Sequence, residues 1–315
     1  AEMRWTDGRM HMSNIQGNAD DLTFSGNLVI SHSPFVITGA LKLGDLDIDD
    51  YKSSGGGAPK KLENRDFTRW PRVNLQLSAE HVRWNRVHLE NVHTRLAGQS
   101  GTYEFNPLSG ILAGSPVTAA MKTVMLPTTP LSSRLSVNFS VPQANLNDIS
   151  RAVADQPLLT GNGAVNASLS FTTSRGLPSL NGKGSLTSSQ VETSFSILPS
   201  SIPMAGSLLS SNRFDRLFLS FAVKNGLLTV DRLSMEAPRL SLSGSGNIDL
   251  VEKTIDASGS VQMPGSAALP VRLEGSLPSP RYSLDGGGNR TLSSKAIDLN
   301  LDLPSQLRDI LGKSR

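Results

Sequence analysis

An apolar residue, a small or polar residue and a glycine, followed by another strand-like run, recur along this 315-residue chain. The phrase stands at Phe24-Ser25-Gly26, Ile37-Thr38-Gly39, Leu159-Thr160-Gly161, Leu180-Asn181-Gly182, Leu242-Ser243-Gly244 and Leu273-Glu274-Gly275, with a weaker copy at Ala257-Ser258-Gly259. Glycine within a strand pattern marks a bulge, a bend or a close approach of two backbones. Its repetition predicts a long sheet that keeps bending the same way and has one continuous inner face. Function then turns on what that face holds.

Period-two alternation of apolar and polar residues dominates the rest. Leu22, Phe24, Gly26, Leu28 and Ile30 share one parity, as do Val73, Leu75 and Leu77, then Leu135, Val137, Phe139 and Val141, then Val165, Ala167, Leu169 and Phe171. The C-terminal third continues with Leu217, Leu219, Phe221 and Val223, then Leu240 and Leu242, Ile248 and Leu250, and Val271 and Leu273. Turn signals such as Lys224-Asn225-Gly226 separate the runs, as in an antiparallel meander. Each strand therefore has one face to bury and one to wet. The fold expected is all-β with a few short helices, a long twisted antiparallel sheet curled into an apolar groove.

Helix signals are short. Asn145–Ala154 has Asn147 as its expected N-cap, Pro203–Ser211 begins with proline, and Leu307, Ile310 and Leu311 follow Pro304 at helical spacing. Lys52–Arg72, with Ser53-Ser54-Gly55-Gly56-Gly57, and Asp285–Thr291 read as linkers. The expected organisation is N-terminal strands over 1–51, a Gly-rich linker over 52–72, the main β-groove region over 73–285, and a tail with a short amphipathic helix over 286–315.

The net charge of +3 is carried by scattered Lys and Arg, with no basic run and no interleaved aromatics, so nucleic acid is not an expected partner. No cysteine is present to form a disulfide or a thiolate site. No run of about 18 apolar residues spans a membrane. Met3-Arg4-Trp5 already reads as strand, which leads us to expect an excised region whose anchoring segment lies elsewhere.

Residues able to do chemistry are sparse. Asp45, Asp47, Asp49 and Asp50 fail the calcium-loop pattern at Asp50 and at Gly56 and read as a solvated strand end. His81, His88 and His93 tempt a zinc reading, but His88 and His93 have opposite strand parity. The pairs Gly161/Gly163, Gly182/Gly184 and Gly244/Gly246 lack a phosphate loop's third glycine and its Lys-Ser/Thr ending, and read as bends. No Gly-x-Ser-x-Gly elbow and no paired acid and base stand out, so the expectation is a protein that is not an enzyme and takes no metal or cofactor. Thr193–Asn212, free of charge over its whole length, reads as a loop and short helix on the sheet, or as a lip over a groove.

Phe214-Asp215-Arg216-Leu217, the Lys224-Asn225-Gly226-Leu227-Leu228 turn, Leu242-Ser243-Gly244-Ser245-Gly246, Asp249-Leu250 and the ending from Leu269 to Pro280 resemble the C-terminal region of the AsmA family. Asp45 to Tyr51 with its Gly-rich linker, Asn106-Pro107-Leu108 to Gly114, and Leu158 to Gly163 look like the same family, together covering most of 22–285. After Leu180-Asn181-Gly182-Lys183-Gly184 the family has a Gly-containing turn into a charged helix, whereas Gln190–Asn212 stands here instead. The resemblance implies a periplasmic β region of an inner-membrane protein with an N-terminal anchor outside this chain. It implies phospholipid or other acyl chains guided between the inner and outer membranes in support of outer-membrane biogenesis, and no catalytic residues.

The residues expected to line the lipid-binding strip are Leu135, Val137, Phe139, Val141, Leu217, Leu219, Phe221, Val223, Leu240, Leu242, Ile248, Leu250, Val271 and Leu273. The alternative is a non-catalytic scaffold for outer-membrane protein assembly, with a closed β core and no lipid cargo. The C-terminal tail is the expected place for an envelope protein partner.

Overall fold

Short turns dictate most of the topology. At Asn225-Gly226 both residues take positive φ (53° and 81°), and Lys224 pairs directly with Leu227 across them. This is the two-residue turn whose twist matches that of the flanking strands. Asp7-Gly8, Ser100-Gly101 and Ala113-Gly114 repeat it. A chain that turns this tightly returns beside the strand it has just left. The computed structural model describes residues 1–19, 22–48, 67, 70–84, 87–126, 132–154, 159–193, 213–277 and 279–284. They fall into two compact units, Ala1–Ser140 with Ser170–Ser174, and Val141–Leu169 with Arg175–Arg315.

In the first unit β1 (Glu2–Thr6), β2 (Arg9–Ala19), β3 (Leu22–His32) and β4 (Phe35–Asp47) form an antiparallel meander. A second meander runs through β5 (Arg72–Trp84), β6 (Val87–Gln99), β7 (Thr102–Leu112), β8 (Ser115–Leu126) and the first part of β9 (Ser132–Asn145). Strand β4 joins β5 in parallel, Val36 opposite Arg72 and Leu41 opposite Leu77. The pair departs locally from the long antiparallel sheet expected, which the other described pairings follow. A parallel pair needs a connection of a dozen or more residues, and the stretch between Asp47 and Arg72 is long enough.

The second unit holds β10 (Leu159–Thr172) up to Leu169, β11 (Asn181–Thr193), β12 (Arg213–Lys224), β13 (Leu227–Ala237), β14 (Leu240–Asp249), β15 (Thr254–Gln262), β16 (Leu269–Ser276) and β17 (Ser279–Leu284). From β11 to β17 each strand pairs antiparallel with the next. A 3-10 turn, Leu177–Ser179, precedes β11. Among the described residues one α-helix is present, α1 (Leu146–Ala154). Its cap is Asn145 and not the expected Asn147. The Asn145 Oδ1 accepts the Asp148 N–H at 3.4 Å while its Nδ2 donates to the Asp148 carboxylate at 2.7 Å. The Asn145 side chain thus accepts from the third helical N–H, as an N-cap does, and also holds that residue's carboxylate. The helices expected over Pro203–Ser211 and in the tail lie outside the described residues.

The recurring glycines have two different causes. Gly26 and Gly39 sit at φ of +153° and +150°, and a Cβ on either would strike a backbone carbonyl oxygen of the facing strand, of Ala40 and Asn27 respectively. There β3 and β4 approach more closely than side chains permit. At Gly244 no left-handed φ is needed, and the β14–β15 register runs unbroken from Ser241 to Asp249. On its other side Gly244 borders a register shift in β13, between Val230 and Leu233, so the same three-residue phrase lies here beside a bulge of the facing strand and not at a close backbone approach.

Candidate functional site

Because pleated strands send alternate side chains to opposite faces, residues that face each other across a ladder form rungs, and their register shows which side is apolar. In the first unit one rung runs Met3, Met12, Leu28, Gly39, Leu75, Leu96, Phe105, Met121, Val137. The next runs Trp5, Met10, Ile30, Ile37, Val73, Gly98, Tyr103, Thr123, Leu135 through the same pairings. On the other side of these rungs, Gly26, Leu41, Leu77, Thr94, Leu108, Ala119 and Phe139 make a third.

The second unit is built the same way. Leu217, Met235, Leu242, Val261 and Leu269 form one rung, and Leu186, Leu219, Leu233, Gly244, Gly259 and Val271 form the next. Then come Gly184, Phe221, Val230, Gly246, Ala257 and Leu273, and finally Gly182, Val223, Leu228, Ile248, Ile255 and Gly275. The opposite face carries Ser, Thr, Asn and ion pairs such as Lys122–Glu104 and Arg216–Glu236.

Three rungs pair an aromatic ring with a glycine directly opposite: Phe24 over Gly17, Tyr103 over Gly98 and Phe221 over Gly184. The ring covers backbone that would otherwise face solvent, and in return the glycine gives it a flat seat. Beside Tyr103, Trp70 lies 6.0 Å away and meets Phe67 edge-on at 5.2 Å. These rings close one border of the first unit's apolar face. Their burial raises the Tyr103 pKa above 10.0.

Burial is uneven across each face, and in the second unit both outer rungs hold a buried residue, Leu217 and Val223, each 5% exposed. In the second unit Leu217 and Met235 are each 5% exposed and Val261 1%. The next two rungs, from Leu219 to Leu273, are half-buried. In the first unit Ala79, Val92 and Val117 are buried, whereas Leu41, Leu75, Leu77, Leu96 and Phe105 are half-buried. Met3 and Trp5, at the β1 end of two rungs, are 68% and 66% exposed.

The expected strip residues divide between the two units. Leu135, Val137 and Phe139 belong to the first. Leu217, Leu219, Phe221, Val223, Leu242, Ile248, Val271 and Leu273 come together on the four rungs of the second. Leu240 shares their parity, paired with Ala237 and buried, and Val141 is 1% exposed. Leu250 falls beyond β14 in the following turn, its N–H bonded to the Gly226 carbonyl at 3.0 Å, and so is not a strand residue. The sequence reading missed the aromatic border and the rung partner Leu233, and it read Val230 and Ile255 as alternating strand residues without placing them in the strip; their rungs are identified only once the register is known.

The histidines are resolved by pairing. His81 Nδ1 lies 2.7 Å from Asp45 Oδ1, and its ring is 5.3 Å from that of His88, while His93 pairs with Ser78 and Ser109 on the opposite face. The bond to Asp45 raises the His81 pKa above 6.5. Asp47 pairs with Arg83. No group of three potential ligands for a metal ion occurs among the described residues. Asp49, Asp50, residues 194–212 and the tail with its expected partner site lie outside them.

The class of protein defined by these features is an all-β sheet protein with one apolar and one polar face, whose apolar rungs run across many strands. No helix among the described residues is long and apolar enough to cross a membrane. Protein AsmA of Escherichia coli (strain K12) is 20% identical over 210 residues, a match covering 61% of this chain and 33% of that protein. The chain therefore spans about a third of that relative's length, and the similarity supports a distant AsmA-like relationship. No family model matches the chain, and no solved structure matches it.

Proposed function

We propose that this chain binds phospholipid acyl chains along its apolar rungs and guides them through the periplasm between the inner and outer membranes. The observation that carries this reading is the run of half-buried Leu, Val, Ile, Met and Phe across consecutive strands. Monomeric proteins seldom expose contiguous apolar surface beyond a few hundred Å², and such a surface calls for an occupant. Each acyl methylene it removes from water contributes about 0.8 kcal/mol, with no need for polar recognition. Binding of that kind selects weakly among lipids, which suits a conduit. The distant likeness to AsmA agrees with the reading.

The covered border at Leu217, Met235 and Val261 favours a second reading, a scaffold for outer-membrane protein assembly whose faces close on themselves. Native mass spectrometry of protein purified without detergent separates the two. The conduit predicts phospholipid retained at reproducible stoichiometry and lost in Leu219→Glu and Phe221→Glu, with the strand circular dichroism unchanged. A folded, lipid-free protein overturns it in favour of the scaffold.

A further inference from the structure

The polar face of the first unit carries a depression that the lipid reading does not use. A shallow cavity of about 450 Å³ crosses β3 to β7 between two rungs of outward side chains. Its floor is the backbone around Gly26, Leu41, Leu77 and Thr94. One wall is the rung Ser25, Lys42, Ser78, His93, Ser109, and the other includes Asn27, Ala40, Gln76 and Arg95. Serine and alanine alternate with the longer residues, leaving room around Lys42, His93 and Arg95.

The charge balance of this trough is one-sided. Its lining holds two cationic side chains and an imidazole, and no carboxylate. Elsewhere on the polar faces cations sit against acids, as in Lys122–Glu104, Arg216–Glu236 and Arg272–Asp256. Within the trough, Lys42 alone has such a partner, Glu80 at 2.8 Å, which stands outside the lining. Arg95 donates its Nε to the neutral Asn74 Oδ1 at 2.9 Å, which fixes the guanidinium and uses one of its five donors. Arg95 and His93 lie two residues apart on one strand face, about 7 Å along it. Lys42 lies two strands from His93 in the same rung, about 10 Å across. Long, flexible Lys and Arg side chains converge over such spans.

We propose that this trough binds a phosphate group, with the Arg95 guanidinium as the forked donor and Lys42 and His93 supplying further hydrogen bonds. Asn27 and Gln76 amides and the serine hydroxyls complete a donor-rich lining. The phosphate comes either from a free phosphate or from a lipid headgroup at a membrane surface. The trough opens on the face opposite the apolar rungs, so a headgroup here belongs to a lipid other than one whose chains lie along them. The proposal stands apart from the acyl-chain reading.

The test is titration of the ¹⁵N-labelled chain with inorganic phosphate, followed by amide shifts in β3 to β7, with flotation on phosphatidylcholine vesicles with and without phosphatidylglycerol as a second arm. The expected result is saturable shifts confined to these strands, weakened about tenfold or more in Arg95→Gln, the scale of one charge-assisted hydrogen bond. Lys42→Gln repeats the loss from the other wall. Flotation with phosphatidylglycerol that Arg95→Gln abolishes assigns the headgroup as the source, and saturable phosphate shifts without flotation assign the free ion. No saturable shift and no Arg95-dependent flotation, or equal phosphate affinity in both variants, overturns the proposal.

Discussion

The two units share one construction and fill it differently. Across the first, the rung from Met12 to Val137 carries a large side chain at every described pairing but Gly39. Across the second, the middle rungs pass through Gly244 and Gly259, then Gly246 and Ala257, so β14 and β15 present little beyond backbone between Leu242–Val261 on one side and Ile248–Ile255 on the other. The polar faces differ as well. The first unit's trough is basic, whereas a cavity of about 430 Å³ in the second is lined by Asp231, Asp256, Asn247 and Thr229. Alternation sets which face is apolar; residue size at each rung sets how deep that face is, and the outward residues set its charge.

The largest expected contrast is between glycines. Gly26→Ala puts a Cβ against the Ala40 carbonyl at a φ that side chains rarely adopt, and should cost about 3 kcal/mol or more. Gly244→Ala meets nothing nearer than the Ser258 carbonyl oxygen at 3.1 Å and should cost less than about 1 kcal/mol. Urea midpoints of the two variants measure this. Equal losses would mean that the glycine phrase has one cause in both units.

Next in size is a contrast within the second unit. Leu217→Ala removes a side chain that is 5% exposed and should cost about 2–3 kcal/mol through the cavity left behind. Leu219→Ala, one rung over and half-buried, should cost about 1 kcal/mol. Addition of phospholipid should raise the melting temperature of the wild type and do so less in Leu219→Ala. If both leucines cost the same, the middle rungs are covered as fully as the border.

Much of this was legible in the residues, and the remainder had a physical reason to stay hidden. Leu217, Leu219, Phe221 and Val223 announce their common face because side-chain direction has a period of two. Nothing in that run says that Phe221 lies over Gly184, since the partner depends on register, and register is set by turns and bulges such as the break between Ser220 and Phe221. The parallel β4–β5 pair escaped for the same reason: a long connection fixes neither direction nor neighbour. Asn147 was a reasonable cap by type, but β9 runs on to Asn145 and hands the chain over there. The trough brings Lys42 of β4 beside His93 and Arg95 of β6, with β5 between them, and no local pattern joins them.

A smaller effect concerns the orphan hydroxyl of Thr94. Its Oγ1 is buried without a hydrogen-bond partner, between Leu77 and Leu108 in a first-unit rung, and it is the one such side-chain atom among the described residues. Thr94→Val keeps the shape and removes the unpaired group, so stability should rise by about 1 kcal/mol. A higher urea midpoint with unchanged slope is the expected reading. A loss of stability would show that the hydroxyl is satisfied, by water or by a ligand, and that the rung is wetter than its neighbours suggest.

The smallest expected effect separates the units by pH. All five histidines, His11, His32, His81, His88 and His93, lie in the first unit. The Asp45 hydrogen bond raises the pKa of His81 above 6.5, with Asp45, Glu90 and Glu80 adding favourable charge against a partial loss of solvent. A folded pKa above the unfolded one means that the contribution is fully present below about pH 6.5 and is lost as pH rises through the folded value. Both groups are well exposed, with side-chain exposures of 46% for His81 and 81% for Asp45, so screening keeps the effect small. Amides of β4 and β5 near Asp45 and His81 should exchange faster, after correction for the intrinsic rate, as pH rises past that point, while those of β14 and β15 should not change. Asp45→Asn should bring the His81 titration midpoint down in an NMR titration and flatten the exchange profile. If the midpoint stays where it was, the carboxylate is not what holds the proton, and the neighbouring Glu90, paired with His81 across the ladder, becomes the group to change.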